Sequence, residues 1–152
     1  MEVQIKKIEE NAILPSMGTV HSAGMDIYSL NDYTLLAFGA IQVRTGIAIG
    51  WSDPLVYLQL HSRSGLFINH GISCQGGVID YDYLQEIVVL LQNHSPVDYH
   101  IKRGDRICQG VFLLQPMISR FAVTDDFLHQ GKTYFPTIMN LQREGGLGST
   151  GK

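Results

Sequence analysis

Ile41-Gln42-Val43-Arg44-Thr45-Gly46-Ile47-Ala48-Ile49 places Ile41, Val43, Thr45, Ile47 and Ile49 on one side of the chain. Successive side chains of an extended strand point to opposite faces, so this period of two predicts a half-buried β-strand over residues 41–49. The same reading extends outward in both directions. Val56, Leu58 and Leu60 alternate with Tyr57, Gln59 and His61, and Val3–Ile8 alternates as well. Ile87–Leu91 is an unbroken apolar run, the pattern of a strand buried on both faces, and Ile107–Leu114 is a further strand candidate. Turn formers punctuate the gaps: Asn31-Asp32, Ser52-Asp53-Pro54, Ser95-Pro96 and Arg103-Gly104-Asp105. No segment carries a long 3.6-residue period, and the one helix expected is a short one after Ser62. Many short strands between regular turns predict an all-β subunit, a jelly roll or β-sandwich.

The bulk composition bounds what such a subunit can be. A chain of 152 residues, 45% hydrophobic and 16% charged, is globular and long enough for one self-sufficient core. The low charged fraction points to surface covered by other subunits. A net charge of −3 with no basic run argues against direct nucleic-acid binding. Cys74 and Cys108 are too few for a disulfide scaffold, and the six histidines lack paired metal spacing. The N-terminal MEVQIKKIEE has no apolar signal core, and no window approaches a membrane span. The expectation is a soluble intracellular protein, cytoplasmic or nuclear, with no membrane partner.

Five islands carry groups that chemistry can use: Ala23-Gly24-Met25-Asp26-Ile27, Arg63-Ser64-Gly65-Leu66, Gly76-Gly77-Val78-Ile79-Asp80-Tyr81-Asp82-Tyr83, Gly104-Asp105-Arg106-Ile107-Cys108-Gln109, and Gly145-Gly146-Leu147-Gly148-Ser149-Thr150-Gly151 preceded by Arg143. Each has a plain structural alternative. Asp26 reads equally as a turn cap, and Asp80 and Asp82 as solvated turn residues. Asp105 and Arg106 read best as a structural ion pair. The glycine-rich end reads as a loose tail, since glycine loses the most backbone entropy on ordering, or as a segment that only a ligand orders. Together the groups are coherent. Glycine-rich backbone presents N–H groups to phosphate oxygens. Arginine and serine add donors. One carboxylate can orient and deprotonate a water, and another can hold the water shell of Mg²⁺, which prefers phosphate oxygens.

In this order and at these separations, the islands resemble the five motifs of the trimeric dUTPase family, over about Ala23 to Gly151. The resemblance implies a jelly-roll homotrimer that hydrolyses dUTP to dUMP and pyrophosphate with Mg²⁺, its three active sites lying between subunits. It implies Asp80 as the carboxylate that activates the attacking water, Gln109 and Ser64 as contacts near the scissile bond, and Arg63 beside Ser64 and Gly65 on the phosphate or interface side. It implies a hairpin from about Cys74 through Gly77, Val78 and Ile79 that reads uracil, with Tyr83 under the deoxyribose. It implies Asp26 as a Mg²⁺ residue acting through water. Residues 1–142 then form the domain, and residues 143–152 an arm that brings Arg143, Leu147, Gly148, Ser149 and Thr150 over a neighbour's nucleotide. The chain departs from the pattern at Ser62, where proline is usual, and at Leu84-Gln85, where arginine and glycine follow the tyrosine. Leu147 replaces the tail phenylalanine, and Arg143 stands four residues before it instead of five. The alternatives on the same fold are a dCTP deaminase-like enzyme and a non-catalytic nucleotide- or partner-binding protein.

Overall fold

The structure is a computed structural model. It describes residues 1–116 and Ile118, together with the backbone of two further strands at 121–123 and 132–134. Strands follow one another along the chain as β1 (Val3–Lys7), β2 (Ser16–Met17), β3 (Met25–Tyr28), β4 (Tyr33–Leu35), β5 (Ala40–Arg44), β6 (Ile47–Trp51) and β7 (Val56–His61). Helix α1 (Ser64–His70) is next, then β8 (Ile72–Gln75), β9 (Val78–Ile79), β10 (Val88–Asn93), β11 (Tyr99–Ile101) and β12 (Arg106–Leu114). β13 (Phe121–Val123) and β14 (Lys132–Tyr134) pair with each other. Among the described residues the protein is all-β with one short helix, as the alternation predicts.

Two sheets matter for the site. The larger has the order β2-β3-β12-β7-β9, and the smaller β5-β10-β8. One hydrophobic cluster draws on both: Ile27, Leu58, Leu60, Ile107 and Cys108 from the first, and Val43, Ile72, Val89 and Leu91 from the second. β7 alternates as expected, with Val56, Leu58 and Leu60 buried.

Two expectations are corrected. Residues 41–49 form two strands, not one: β5 pairs with β10, and β6 with β1. The break falls at Gly46, whose φ of 71° belongs to the left-handed region and whose added Cβ would stand 2.9 Å from both the Ala12 Cβ and a Leu30 methyl. The Gly46 N–H donates to a Glu86 carboxylate oxygen at 2.8 Å, and its carbonyl accepts from Ile8 and Glu9. Periodicity survives the break because Thr45, buried, still points inward and donates to the Ile87 carbonyl at 2.6 Å. The apolar run at 87–91 is buried on one face only; Val88 and Leu90 are half-buried. β10 is the middle strand of its sheet, so its edges are paired while its outer face is left partly open.

A polar residue that the sequence reading passed over holds the loops at one end. Asn93 is completely buried. Its amide donates to the carbonyls of Leu35, Leu36 and Val97, and its Oδ1 accepts from the Ser95 N–H and hydroxyl. Buried amides persist where every donor and acceptor is met, and this one fastens the turn after β4 and the turn after β10 to each other.

Candidate active site

Strand register brings three of the islands to one place. Gln109 on β12 lies opposite Asp26 on β3 and, across its other edge, opposite His61 at the end of β7. Arg63 follows two residues later and caps α1. Asp26 is therefore a strand residue facing a cluster, not a turn cap. Its Oδ1 accepts from Arg63 Nε at 3.1 Å and from Gln109 Nε2 at 3.4 Å, and its Oδ2 accepts from Arg106 Nη1 at 3.2 Å. The Asp26 side chain is 7% exposed, against 23% for Arg63 and 52% for Arg106. Two guanidiniums around one buried carboxylate leave one positive charge uncompensated, and it lies on the more open Arg106 side. A local positive centre on a chain of net charge −3 is where an anion would be held.

Arg106 is the residue whose role the sequence reading missed. The expected Asp105–Arg106 ion pair gives way to two separate partnerships: Arg106 pairs with Asp26, and the Asp105 carboxylate accepts the Lys102 N–H at 2.8 Å, closing the Lys102–Asp105 turn. Asp105 closes the turn and Arg106 opens β12, so the two sequence neighbours take different partners. The only sequence hint was that Arg106 and Gln109 fall in one island.

Ser64 is exposed at the start of α1, and a Cβ added to Gly65 would meet nothing within 4 Å. Nothing inside this subunit requires a glycine there, which suits close approach by something outside it.

The third island is built differently from expectation. β8 pairs with β10 and β9 pairs with β7, so residues 74–79 cross from one sheet to the other instead of forming a paired hairpin. The crossing turns at Gly76 and Gly77, with φ of 65° and 90°. Gly77 is pressed against β7: an added Cβ would lie 2.8 Å from the Leu60 Cβ, and the Gly77 carbonyl accepts the Leu60 N–H at 2.8 Å. Val78 is 60% exposed, while Ile79 packs on the core. Asp80 opens a turn closed by the Tyr83 N–H on the Asp80 carbonyl at 3.0 Å, and Asp82 is exposed on it. The Tyr83 ring packs on the core and its hydroxyl donates to the Glu86 carbonyl at 2.8 Å. Burial, and then the Glu86 charge, raise the phenol above its ordinary range, so the ring stays neutral.

Within this chain Asp80 lies away from the Asp26 cluster. Ile79 lies opposite Leu58 on β7, whereas Gln109 lies opposite His61 on the other edge of that strand. Asp80 continues away from His61, which puts it roughly 15 Å from Gln109 on standard strand spacings.

Among the described residues, no group of three or more His, Cys, Asp or Glu side chains converges as a metal cage. Asp26 spends three of its carboxylate's roughly four acceptor positions on Arg63, Gln109 and Arg106. It therefore does not fit as a direct ligand. It does fit a contact through water with an ion carried in by phosphates, which is how Mg²⁺ commonly binds. Arg143, Leu147, Gly148, Ser149 and Thr150 lie outside the described residues.

An all-β protein with an arginine–carboxylate–amide cluster on its largest sheet, and a glycine crossover between that sheet and the next, is the class these features define. A family profile described as dUTPase matches residues 10–133. A deoxyuridine 5'-triphosphate nucleotidohydrolase of Candida glabrata is 37% identical over 100% of this chain and 96% of its own length. One from Debaryomyces hansenii is 40% identical over 94% and 83%. Among solved structures, a mutant dUTPase of phage phi11 of S. aureus, described with the coordination of a structural Mg(II) ion, superposes with a TM-score of 0.77 at 19% identity, covering 85% of this chain and 100% of that one. The chain belongs to the dUTPase family. Among the described residues no helix is long and apolar enough to cross a membrane.

Proposed function

We propose that this protein hydrolyses dUTP to dUMP and pyrophosphate, keeping uracil out of DNA and supplying dUMP, at sites shared between the subunits of a homotrimer. The observation that carries the reading is the convergence of Asp26, Arg63, Arg106 and Gln109 on one positively charged cluster, with Asp80 held apart on a different edge. The cluster suits a triphosphate, and the separation suits a site in which a neighbouring copy supplies the third island.

In this reading Asp80 orients a water and takes its proton as the water attacks the α-phosphorus in line, and pyrophosphate leaves. Gln109, Ser64 and Gly65 line the phosphate path, with Arg63 and Arg106 fixing its charge. Asp26 would hold Mg²⁺ through water, and the ion would supply charge neutralisation of the triphosphate. The Gly77–Ile79 backbone reads uracil: cytosine would leave buried polar groups unpaired, and a 5-methyl group would clash. Tyr83 excludes a 2′-hydroxyl by ring position, since its own hydroxyl is committed to Glu86. Residues 143–152 form the closing arm, with Arg143, Ser149 and Thr150 on the phosphates and Leu147 with Gly148 over the base. The free thiols Cys74 and Cys108 accord with a reducing compartment, cytoplasm or nucleus.

The deciding assay incubates the protein with dUTP and Mg²⁺ and measures pyrophosphate. Release with dUTP, and no ammonia from dCTP, supports the reading. No pyrophosphate would leave the non-catalytic alternative standing.

A further inference from the structure

Cys74 on β8 and Cys108 on β12 belong to different sheets, yet the fold brings them close together. The Cys74 N–H donates to Ser62 Oγ at 2.8 Å. Extending the β12–β7 register one step past Gln109–His61 puts Cys108 opposite that same Ser62. Both side chains pack in the one core cluster, the Cys74 Sγ lies 4.0 Å from the Gln75 carbonyl oxygen, and the two thiols are near enough to perturb one another's ionisation. Their exposure differs: Cys74 is half-buried and Cys108 is fully buried. A small oxidant therefore meets Cys74 first, with Cys108 waiting behind it.

We propose that Cys74 and Cys108 form a peroxide-responsive thiol pair that closes into a disulfide across the two sheets and displaces the Gly76-Gly77 crossover. The chemistry does not depend on the proposed function, but its effect on activity rests on that reading of the crossover. The Cys74 thiolate attacks hydrogen peroxide, the O–O bond breaks, and Cys74 becomes a sulfenic acid as one water leaves with a proton from solvent. The Cys108 thiol then attacks the Cys74 sulfur, the S–O bond breaks, and the departing hydroxide takes the Cys108 proton as a second water. Two thiols are oxidised and one peroxide is reduced. Interaction with Cys108 lowers the Cys74 thiol from its ordinary range against the opposing effect of burial, and the Cys108 thiol is raised by its interaction with Cys74 and by burial. This favours thiolate at the exposed member and a retained proton at the buried one.

Closure must move something, because an S–S bond of about 2.05 Å is much shorter than the packing distance of two unbonded thiols. Cys108 is fully buried in β12, the middle strand of its sheet, and pairs with Ile27 of β3. β8 is an edge strand, and its last residues lead directly into Gly76 and Gly77. The end of β8 therefore yields, and the crossover moves with it.

The test treats the folded full-length protein with hydrogen peroxide, blocks remaining thiols and maps peptides by mass spectrometry. The expected result is an intrachain Cys74–Cys108 linked peptide, with dUTP hydrolysis lowered by about tenfold or more, the scale of an ångström-level misplacement, and restored by dithiothreitol. Cys108→Ala should keep its reduced-state turnover, trap a dimedone-reactive sulfenic acid at Cys74 and show no linked peptide. If it does not fold, the near-isosteric Cys108→Ser carries the same comparison. Absence of the linked peptide in the parent protein overturns the thiol pair. A linked peptide with unchanged dUTP hydrolysis overturns the coupling to the crossover. A reduced protein with no activity on dUTP refutes the proposed function, while the linked-peptide readout still decides the thiol chemistry.

Discussion

Asp80 and Tyr83 lie on one turn yet are assigned opposite kinds of work, and substitution separates them. Asp80→Asn keeps the shape and removes the base. Pyrophosphate release from dUTP should fall by ~10²-fold or more, while calorimetry with a non-hydrolysable dUTP analogue should still detect binding. Near-normal turnover in this variant would remove Asp80 from the mechanism. Tyr83 acts through its ring. Tyr83→Phe removes the hydroxyl's bond to the Glu86 carbonyl, about 1 kcal/mol of stability, and should keep the dUTP-to-UTP preference. Tyr83→Ala should erode that preference and also lower activity on dUTP through lost packing. Measured kcat/KM ratios for the two nucleotides decide it, and an unchanged ratio in Tyr83→Ala rules out the ring. Asn93 offers a contrast, because it is far from the chemistry. Asn93→Ala strands the carbonyls of Leu35, Leu36 and Val97. It should cost roughly 2–4 kcal/mol in urea denaturation, the range for breaking a buried hydrogen-bond network.

At the scale of elements, the sequence made faces legible and left partners hidden. Alternation in residues 56–60 marks β7 because Val56, Leu58 and Leu60 share its buried face, whereas β12 buries Ile107 and Cys108 in succession and ends on exposed Leu114, so it reads only as a strand candidate. The same rule merged β5 with β6, since Gly46 turns the chain without disturbing which side chains face inward. Ion pairing was misread for a related reason. Arg106 finds Asp26 across a strand pair, a contact between residues far apart in the chain, and nothing local in Gly104-Asp105-Arg106 announces it. The site's residue types were legible as islands. Their assembly was not, because the crossover at Gly76-Gly77 depends on β8 and β9 choosing different strand partners. That crossover is also a point of strain. Gly77→Ala adds a Cβ 2.8 Å from the Leu60 Cβ at a φ of 90°. It should lower stability by about 1–3 kcal/mol and weaken binding of the dUTP analogue. Wild-type affinity in a folded variant would detach Gly77 from nucleotide recognition.

For the whole molecule, the separation of Asp80 from Gln109 makes an arithmetic prediction. The light-scattering mass should be three times the 16.9 kDa subunit. Asp80→Asn and Gln109→Ala subunits are each inactive alone in this reading. After the two are unfolded and refolded together in equal amounts, each site draws Asp80 from one chain and Gln109 from another. The chance that the Asp80 donor carries intact Asp80 is one half, and the chance that the Gln109 donor carries intact Gln109 is one half. Their product restores about a quarter of the sites when the donors are different chains of a closed ring. If one chain supplied both residues, every site would contain a lesion and activity would stay at the level of the single variants. Doubly substituted subunits mixed with unsubstituted ones control for simple dilution, since they too yield about a quarter when sites are shared but about half when they are not. Recovery in the first mixture together with the lower value in the second establishes shared sites. Failure of the first mixture, with the higher value in the second, would place Asp80 and Gln109 in one subunit's site and require the crossover to fold back by the roughly 15 Å that standard strand spacing puts between them.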